Sequence, residues 1–246
     1  MDYRLTHLSP SKGTTYDASF ERLPYRKIVW GWEKDVLHDV VTNIRRERDF
    51  IQYLDFACGT GRILGFLEES VDASFGIDIS PSMLDVAFKK VKRSKLILGD
   101  ITRERILEDH SIDLVTAFRF FLNAQPALRE EVLHAIHRIL KDDGNLVFNI
   151  HMNRGCFLEK ILRAYGRLRN ISNENFSSMS ITDTRSLLKN TNFEIIDLYH
   201  FGVLPIYYEG HRFLIELIES FERLASRISF SEPYSRYIIY ICKKRS

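Results

Sequence analysis

The chain has 246 residues, 45% of them hydrophobic and 28% charged, with 35 Lys and Arg set against 33 Asp and Glu. A chain of this length buries about 70–75% of its unfolded surface on folding, so its core needs no covalent staple. The scattered Cys58, Cys156 and Cys242 spell neither a disulfide framework nor a zinc knuckle, near-balanced charge argues against a polynucleotide binder, and nothing reads as a signal peptide or an apolar membrane span, which predicts a cytoplasmic protein.

The first fifty residues set Tyr16, Phe20, Tyr25, Trp30 and Trp32 among charges, and residues 35–46 then place Val36, Val40, Val41 and Ile44 on one helical face. That pattern predicts a helical cap over a core. Strands are predicted at Ile51–Phe56, Ser74–Ile79, Lys95–Leu98, Ile112–Phe118 and Asn145–Ile150. Between them fall helices at Gly61–Glu69, at Met83–Val91 behind Ser80-Pro81, and around Leu128, Val132, Ile136 and Ile139, the last closing at residues 141–144. Alternation of this kind implies βαβ units, a parallel sheet and helices on both faces. Thr182 is expected to cap a helix through Leu187 and Leu188, with further strands at Phe193–Phe201 and Tyr237–Cys242. Residues 204–235 read as an insertion covering a site. Its stripe Phe213, Leu217, Phe221 and Leu224 suits packing against the domain or against a second subunit, which leaves a homodimer open.

The segment Asp55-Phe56-Ala57-Cys58-Gly59-Thr60-Gly61 joins the first strand to its helix, at the sheet edge where open α/β folds bind ligands. Glycines let backbone N–H groups approach a ligand closely. Asp78, ending the second strand seventeen residues after Gly61, suits a carboxylate that accepts from ribose hydroxyls. A dinucleotide fingerprint wants a third glycine where Leu64 stands, which counts against an NAD(P)-dependent oxidoreductase.

The chain resembles the class I S-adenosylmethionine-dependent methyltransferases from Ile51 to His151. Asp55-x-Ala57-x-Gly59-x-Gly61 is similar to their first motif with Ala57 in place of a glycine, Phe75 to Ser80 to their second, Gly99-Asp100-Ile101 to their third, and Asp113 to Phe118 to their fourth. The resemblance implies a three-layer Rossmann-like α/β fold, a seven-stranded sheet in the order 3-2-1-4-5-7-6 with strand 7 antiparallel, and S-adenosylmethionine as cofactor with S-adenosylhomocysteine as product. It further implies that Asp55 favours the charged methionine end, and that Ala57, Cys58, Gly59 and Gly61 form the cofactor loop. Asp78 would hold the ribose, Ile79 and Met83 would flank the adenine, Asp100 and the Ile101 N–H would meet the adenine edge, and Ala117 and Phe118 would face the methyl-transfer point. Tyr16 would lie over the cofactor as a lid. One domain over 1–246 is expected, with a cap at 1–50, a cofactor core at 51–151 and an acceptor-side half at 152–246.

For the acceptor, a small molecule methylated at oxygen is expected, and no Asn/Asp-Pro-Pro-Tyr signature points to nucleic-acid amino groups. His151, just past the fifth strand, is the candidate general base, with a packing or loop-anchoring role as the alternative. Arg119, directly after the fourth strand, suits a carboxylate or phosphate on the acceptor, or else an ion pair within the protein. Trp30 and Trp32 read as acceptor-side lining or as core. A non-catalytic partner subunit with the same fold is the third reading.

Overall fold

The run Tyr53-Leu54-Asp55-Phe56 is buried on both faces, and this is why it forms a central strand. In the computed structural model, which describes residues 4, 13, 24–168, 178–204, 212–226 and 228–245, β1 (Gln52–Phe56) pairs in parallel with β2 (Ala73–Asp78) and β4 (Ile112–Ala117). With β3 (Lys95–Leu98), β5 (Leu140–Ile150), β6 (Phe193–Phe201) and β7 (Tyr237–Lys244) these make one seven-stranded sheet in the order β3-β2-β1-β4-β5-β7-β6. β7 runs antiparallel to both of its neighbours, as expected.

Alternation along the strands feeds two apolar layers. Leu54, Val115, Leu146 and Phe148 pack on one face with Leu128, Val132 and Ile136 of α4 (Pro126–Ile139) and with Leu187 and Leu188 of α6 (Ile181–Asn190). Tyr53, Leu114, Val147 and Ile239 pack on the other with α1 (Pro24–Glu47), α2 (Arg62–Leu67) and Ile218 of α7 (Arg212–Ala225). Helix α3 (Pro81–Phe88) joins β2 to β3, and α5 (Phe157–Leu168) follows β5. Among the described residues no helix is long and apolar enough to cross a membrane.

Four local expectations change. Helix α1 begins at Pro24, because Val29, Trp32, Glu33, Val36 and Leu37 continue its buried face and the charge of Glu33 disguises the period. Strand β5 starts at Leu140 straight from α4, but residues 141–144 pair with no described strand and bulge between the Ile112–Leu140 and Leu114–Asn145 pairs, so the ladder proper runs from Asn145. Helix α6 is capped by Ser180 in a reciprocal box with Asp183, not by Thr182, because only Ser180 precedes the first turn. On α7 the buried side chains are Ile218, Glu222 and Ala225, whereas Phe221 and Leu224 are exposed; the side chains of Phe213 and Leu217 lie outside those described.

Candidate active site

The turn after β1 alternates left-handed residues, with φ of +53° at Ala57, +54° at Gly59 and +74° at Gly61. A Cβ on Gly61 would stand 3.0 Å from Ala87 Cβ of α3, whereas one on Gly59 would meet no described residue within 4 Å. Ala57 holds a conformation that costs an L-residue about 1–2 kcal/mol, which is why a glycine suits that position better.

Asp78 closes the turn from the end of β2. Its Oδ2 accepts from Gly59 N at 2.8 Å and its Oδ1 from Ser80 N at 2.9 Å. Asp100 lies just past β3, where Oδ1 accepts from Thr102 N at 2.9 Å and from Thr102 Oγ1 at 2.7 Å, and Oδ2 from Arg4 Nε at 2.8 Å. Burial works to raise the Asp100 pKa, but the Thr102 and Arg4 hydrogen bonds outweigh it and hold the carboxyl below its usual range. Arg4 also reaches Thr102 Oγ1 and Glu131, tying residue 4 to this corner. Met83 and Ile101 are buried nearby in the chain and Ile79 is half-buried. Tyr16 lies outside the described residues.

Asp55 sits within the protein, beneath the loop. Its Oδ1 accepts from Thr116 Oγ1 at 2.7 Å and its Oδ2 from Leu64 N at 3.2 Å, while the Tyr53 hydroxyl lies 2.7 Å from Thr116 Oγ1. Burial pushes its carboxyl up to about 7, against the opposing pull of the Thr116 hydroxyl and Arg62.

At the end of β4, Ala117 and Phe118 are buried and Arg119 adopts φ +60°. Arg119 N donates to Asn149 Oδ1 at 2.6 Å, and its Nη2 to Glu33 Oε1 at 3.1 Å. Glu33 is fully buried and takes a second guanidinium, Arg62 Nη1 at 2.8 Å, together with the Tyr237 hydroxyl. Asn149 in turn donates to the Tyr237 oxygen. One carboxylate of α1 thus joins α2, the end of β4 and β7. Burial alone would raise the Glu33 pKa; Arg119 and Arg62 reverse the sign and hold it below the ordinary value. Trp30 and Trp32 flank this acid: the Arg62 guanidinium stands 4.2 Å from the Trp30 ring centroid, and Trp32 stacks on Phe201 at 4.8 Å.

His151 follows β5. Its Nδ1 is buried with no hydrogen-bond partner among the described residues. Burial first, then Arg119 and Arg236, lower its pKa to about 3, so the ring is neutral at physiological pH. His38, His110 and His134 are exposed, and His200 is buried against Ser235 Oγ at 3.0 Å.

The residues named from the motifs thus lie at the carboxyl ends of β1 to β4, and His151 and Arg119 lie at the adjoining edge. Glu33, Arg62, Asn149, Tyr237 and Arg4 were not singled out by sequence reasoning. Only Glu33 carried a signal, an acid at an inward helical position.

Residues 54–148 match a family model described as a methyltransferase domain. The chain is 36% identical over 102 residues to the putative methyltransferase YqeM of Bacillus subtilis, covering 40% of this chain and 41% of the relative. It is 31% identical over 119 residues to the 18S rRNA (guanine-N(7))-methyltransferase RID2 of Arabidopsis thaliana, covering 45% and 41%. The chain spans under half the length of these curated relatives. The magnesium protoporphyrin IX methyltransferase of Synechocystis PCC 6803, solved with bound SAH, shares the fold at TM-score 0.65 and 13% identity over 100% of both chains. Residues 54–148 thus match a methyltransferase domain, and the chain shares the fold of S-adenosylmethionine-dependent methyltransferases.

Proposed function

We propose that the chain is a working methyltransferase that places a methyl group on a hydroxyl oxygen of a small molecule. The observation that carries this reading is the left-handed turn at Gly59, clear of the described residues and held by the Asp78 carboxylate, beside an edge that carries the neutral His151. S-adenosylmethionine, when bound, supplies a methyl group activated by a sulfonium. The residues present fit it: Asp78 is an acceptor suited to ribose hydroxyls, Ile79, Met83 and Ile101 are apolar and adenine-compatible, and Asp100 presents a fixed acceptor. The loop Ala57-Cys58-Gly59-Gly61 leaves room for close approach, Asp55 puts a titratable carboxyl behind it, and Ala117 and Phe118 wall the transfer point. Tyr16 is assigned the lid role on the family pattern alone.

Methyl transfer is an in-line displacement, for which positioning supplies much of the acceleration. His151, its ring neutral, is assigned to receive the hydroxyl proton. The chain is read as one domain. Its three described cysteines, free and buried, support a cytoplasmic setting.

Calorimetry with S-adenosylmethionine and S-adenosylhomocysteine tests the first step; no heat at millimolar ligand, or displacement by NADH, overturns the reading in favour of an oxidoreductase. Cofactor binding without S-adenosylhomocysteine release from any acceptor identifies a non-catalytic subunit. The relative RID2 is named for an rRNA acceptor, so release with rRNA fragments and not with hydroxylated small molecules overturns the small-molecule assignment. Equal pH–rate profiles for wild type and His151→Ala remove that residue from the chemistry.

A further inference from the structure

We propose that Glu33 is a positioning residue for methyl transfer: by way of Tyr237 and Asn149 it locks Arg119 at the end of β4, and so fixes Ala117 and Phe118 where donor and acceptor meet. The inference rests on the methyltransferase reading above and adds a residue of α1 to its site. Strand alternation brings the parts together. Asn149 pairs with Ile239 and lies two residues on from Val147, so it shares with Val147, Tyr237 and Ile239 the sheet face that α1 covers.

The bonds close a ring whose proton order is fixed. The Arg119 N–H can only donate, so Asn149 meets it with Oδ1 at 2.6 Å and turns its Nδ2 to donate to the Tyr237 oxygen. The single hydroxyl proton of Tyr237 then goes to Glu33 Oε1, which also accepts from Arg119 Nη2 at 3.1 Å. Glu33 Oε2 takes Arg62. Glu33 and Asn149 are wholly buried and Tyr237 nearly so, which strengthens each bond by keeping bulk water from it. Arg119 holds φ +60°, a conformation that an L-residue with a long side chain keeps only where its surroundings over-determine it, and such outliers gather at functional sites. Here they do so three times over: Asn149 takes its N–H, Asn123 Nδ2 donates to its carbonyl at 2.6 Å, and Glu33 takes its guanidinium. An apolar residue would dock α1 at least as well as a buried acid; what position 33 gains from the acid is a hold on the strand end that directly follows Ala117 and Phe118.

The test uses the full chain and two readouts. Calorimetry gives the affinities of S-adenosylmethionine and S-adenosylhomocysteine, which differ only in the methyl group and its charge, so their ratio reports on the place where the methyl lies. Amide hydrogen exchange of Arg119, taken relative to Val115 in the middle of β4, reports on the ring itself. Tyr237→Phe removes one oxygen from the ring and leaves Glu33 both of its guanidiniums. It should move the affinity ratio against S-adenosylmethionine, and speed the relative exchange of Arg119, each by about threefold to tenfold, as for loss of one hydrogen bond. Asn149→Ala should do at least as much, and the double variant no more than Asn149→Ala alone, because a ring already open cannot be opened again. Val36→Ala loosens the buried face of α1 outside the ring; it should lower the urea midpoint and leave both readouts unchanged. An unchanged ratio or unchanged Arg119 exchange in Tyr237→Phe, shifts that add in the double variant, or an equal shift in Val36→Ala overturns the positioning role alone. Wild type that binds neither ligand sinks the methyltransferase reading, and this inference falls with it.

Discussion

Replacing Asp55 with Asn tests the buried carboxyl behind the cofactor loop. The carboxyl rises from an ordinary 3.8 to about 7 because it is buried. The folded state therefore keeps its proton in a pH range where the unfolded chain has lost it. Stability conferred by that proton is present below pH 4 and falls by about 1.4 kcal/mol per pH unit toward pH 7, then stays flat. Over the whole interval the loss approaches ~4 kcal/mol, and local relaxation brings a realistic figure to about 2–4 kcal/mol. Asn removes the titration while keeping the shape. The hydroxyl pair of Tyr53 and Thr116 can reverse its hydrogen-bond direction to meet the new amide, so the constant cost is about 1 kcal/mol. Urea unfolding of both proteins at pH 4, 6 and 8 reads the difference directly. Asp55→Asn should gain about 2–4 kcal/mol on wild type between pH 4 and pH 8, although Glu33 and Asp100, whose pKa values are lowered, push the total stability of both proteins the other way. A difference that does not change with pH would refute the argument. If Asp55 also serves the cofactor's charged end, S-adenosylhomocysteine affinity should climb through about pH 7 in wild type and lose that step in Asp55→Asn.

Glu33→Gln should cost about 2–4 kcal/mol in urea unfolding, because it strips two guanidiniums of a shared buried partner; a loss below about 0.5 kcal/mol would mean that both arginines find water instead. In the loop, Gly61→Ala adds a Cβ 3.0 Å from Ala87 at φ +74° and should lose about 2–3 kcal/mol. Gly59→Ala meets no described residue within 4 Å at φ +54°, so it should lose only about 1 kcal/mol of stability yet weaken S-adenosylhomocysteine sharply, and unchanged cofactor affinity would count against the proposed location. Ser180→Ala should lower stability by about 1 kcal/mol and Thr182→Ala by less than half of that, since the capping box belongs to Ser180.

The stretch from β1 to β4 was legible because it is written in local terms. Short apolar runs such as Tyr53 to Phe56 announce buried strands, and glycines or acids at their ends mark where the backbone must turn or present an acceptor. Elements were misjudged where polar residues occupy structured positions. Lys141, Asp142 and Asp143 read as a turn closing the helix, yet they bulge from the start of β5, where Lys141 Nζ lies 2.9 Å from the buried Asp113. Helix α5 was missed because its apolar side chains Phe157, Ile161 and Tyr165 are exposed while the acid Glu159 is buried beneath Arg163.

The cluster around Glu33 was the least legible part for the same reason carried further. Glu33 lies 29 residues from Arg62, 86 from Arg119 and 204 from Tyr237, so no window of sequence contains the set. Its own position still carried information. An acid between Val29 and Val36 on an inward helical face must be paired, since an unpaired buried carboxylate would cost far more than the helix gains from packing. The sequence rule therefore fails at Glu33 in an informative way: a broken apolar period in α1 announces a guanidinium partner from elsewhere, and Arg119, the lone charge between apolar Phe118 and Phe120 at a strand end, is the segment most in need of one.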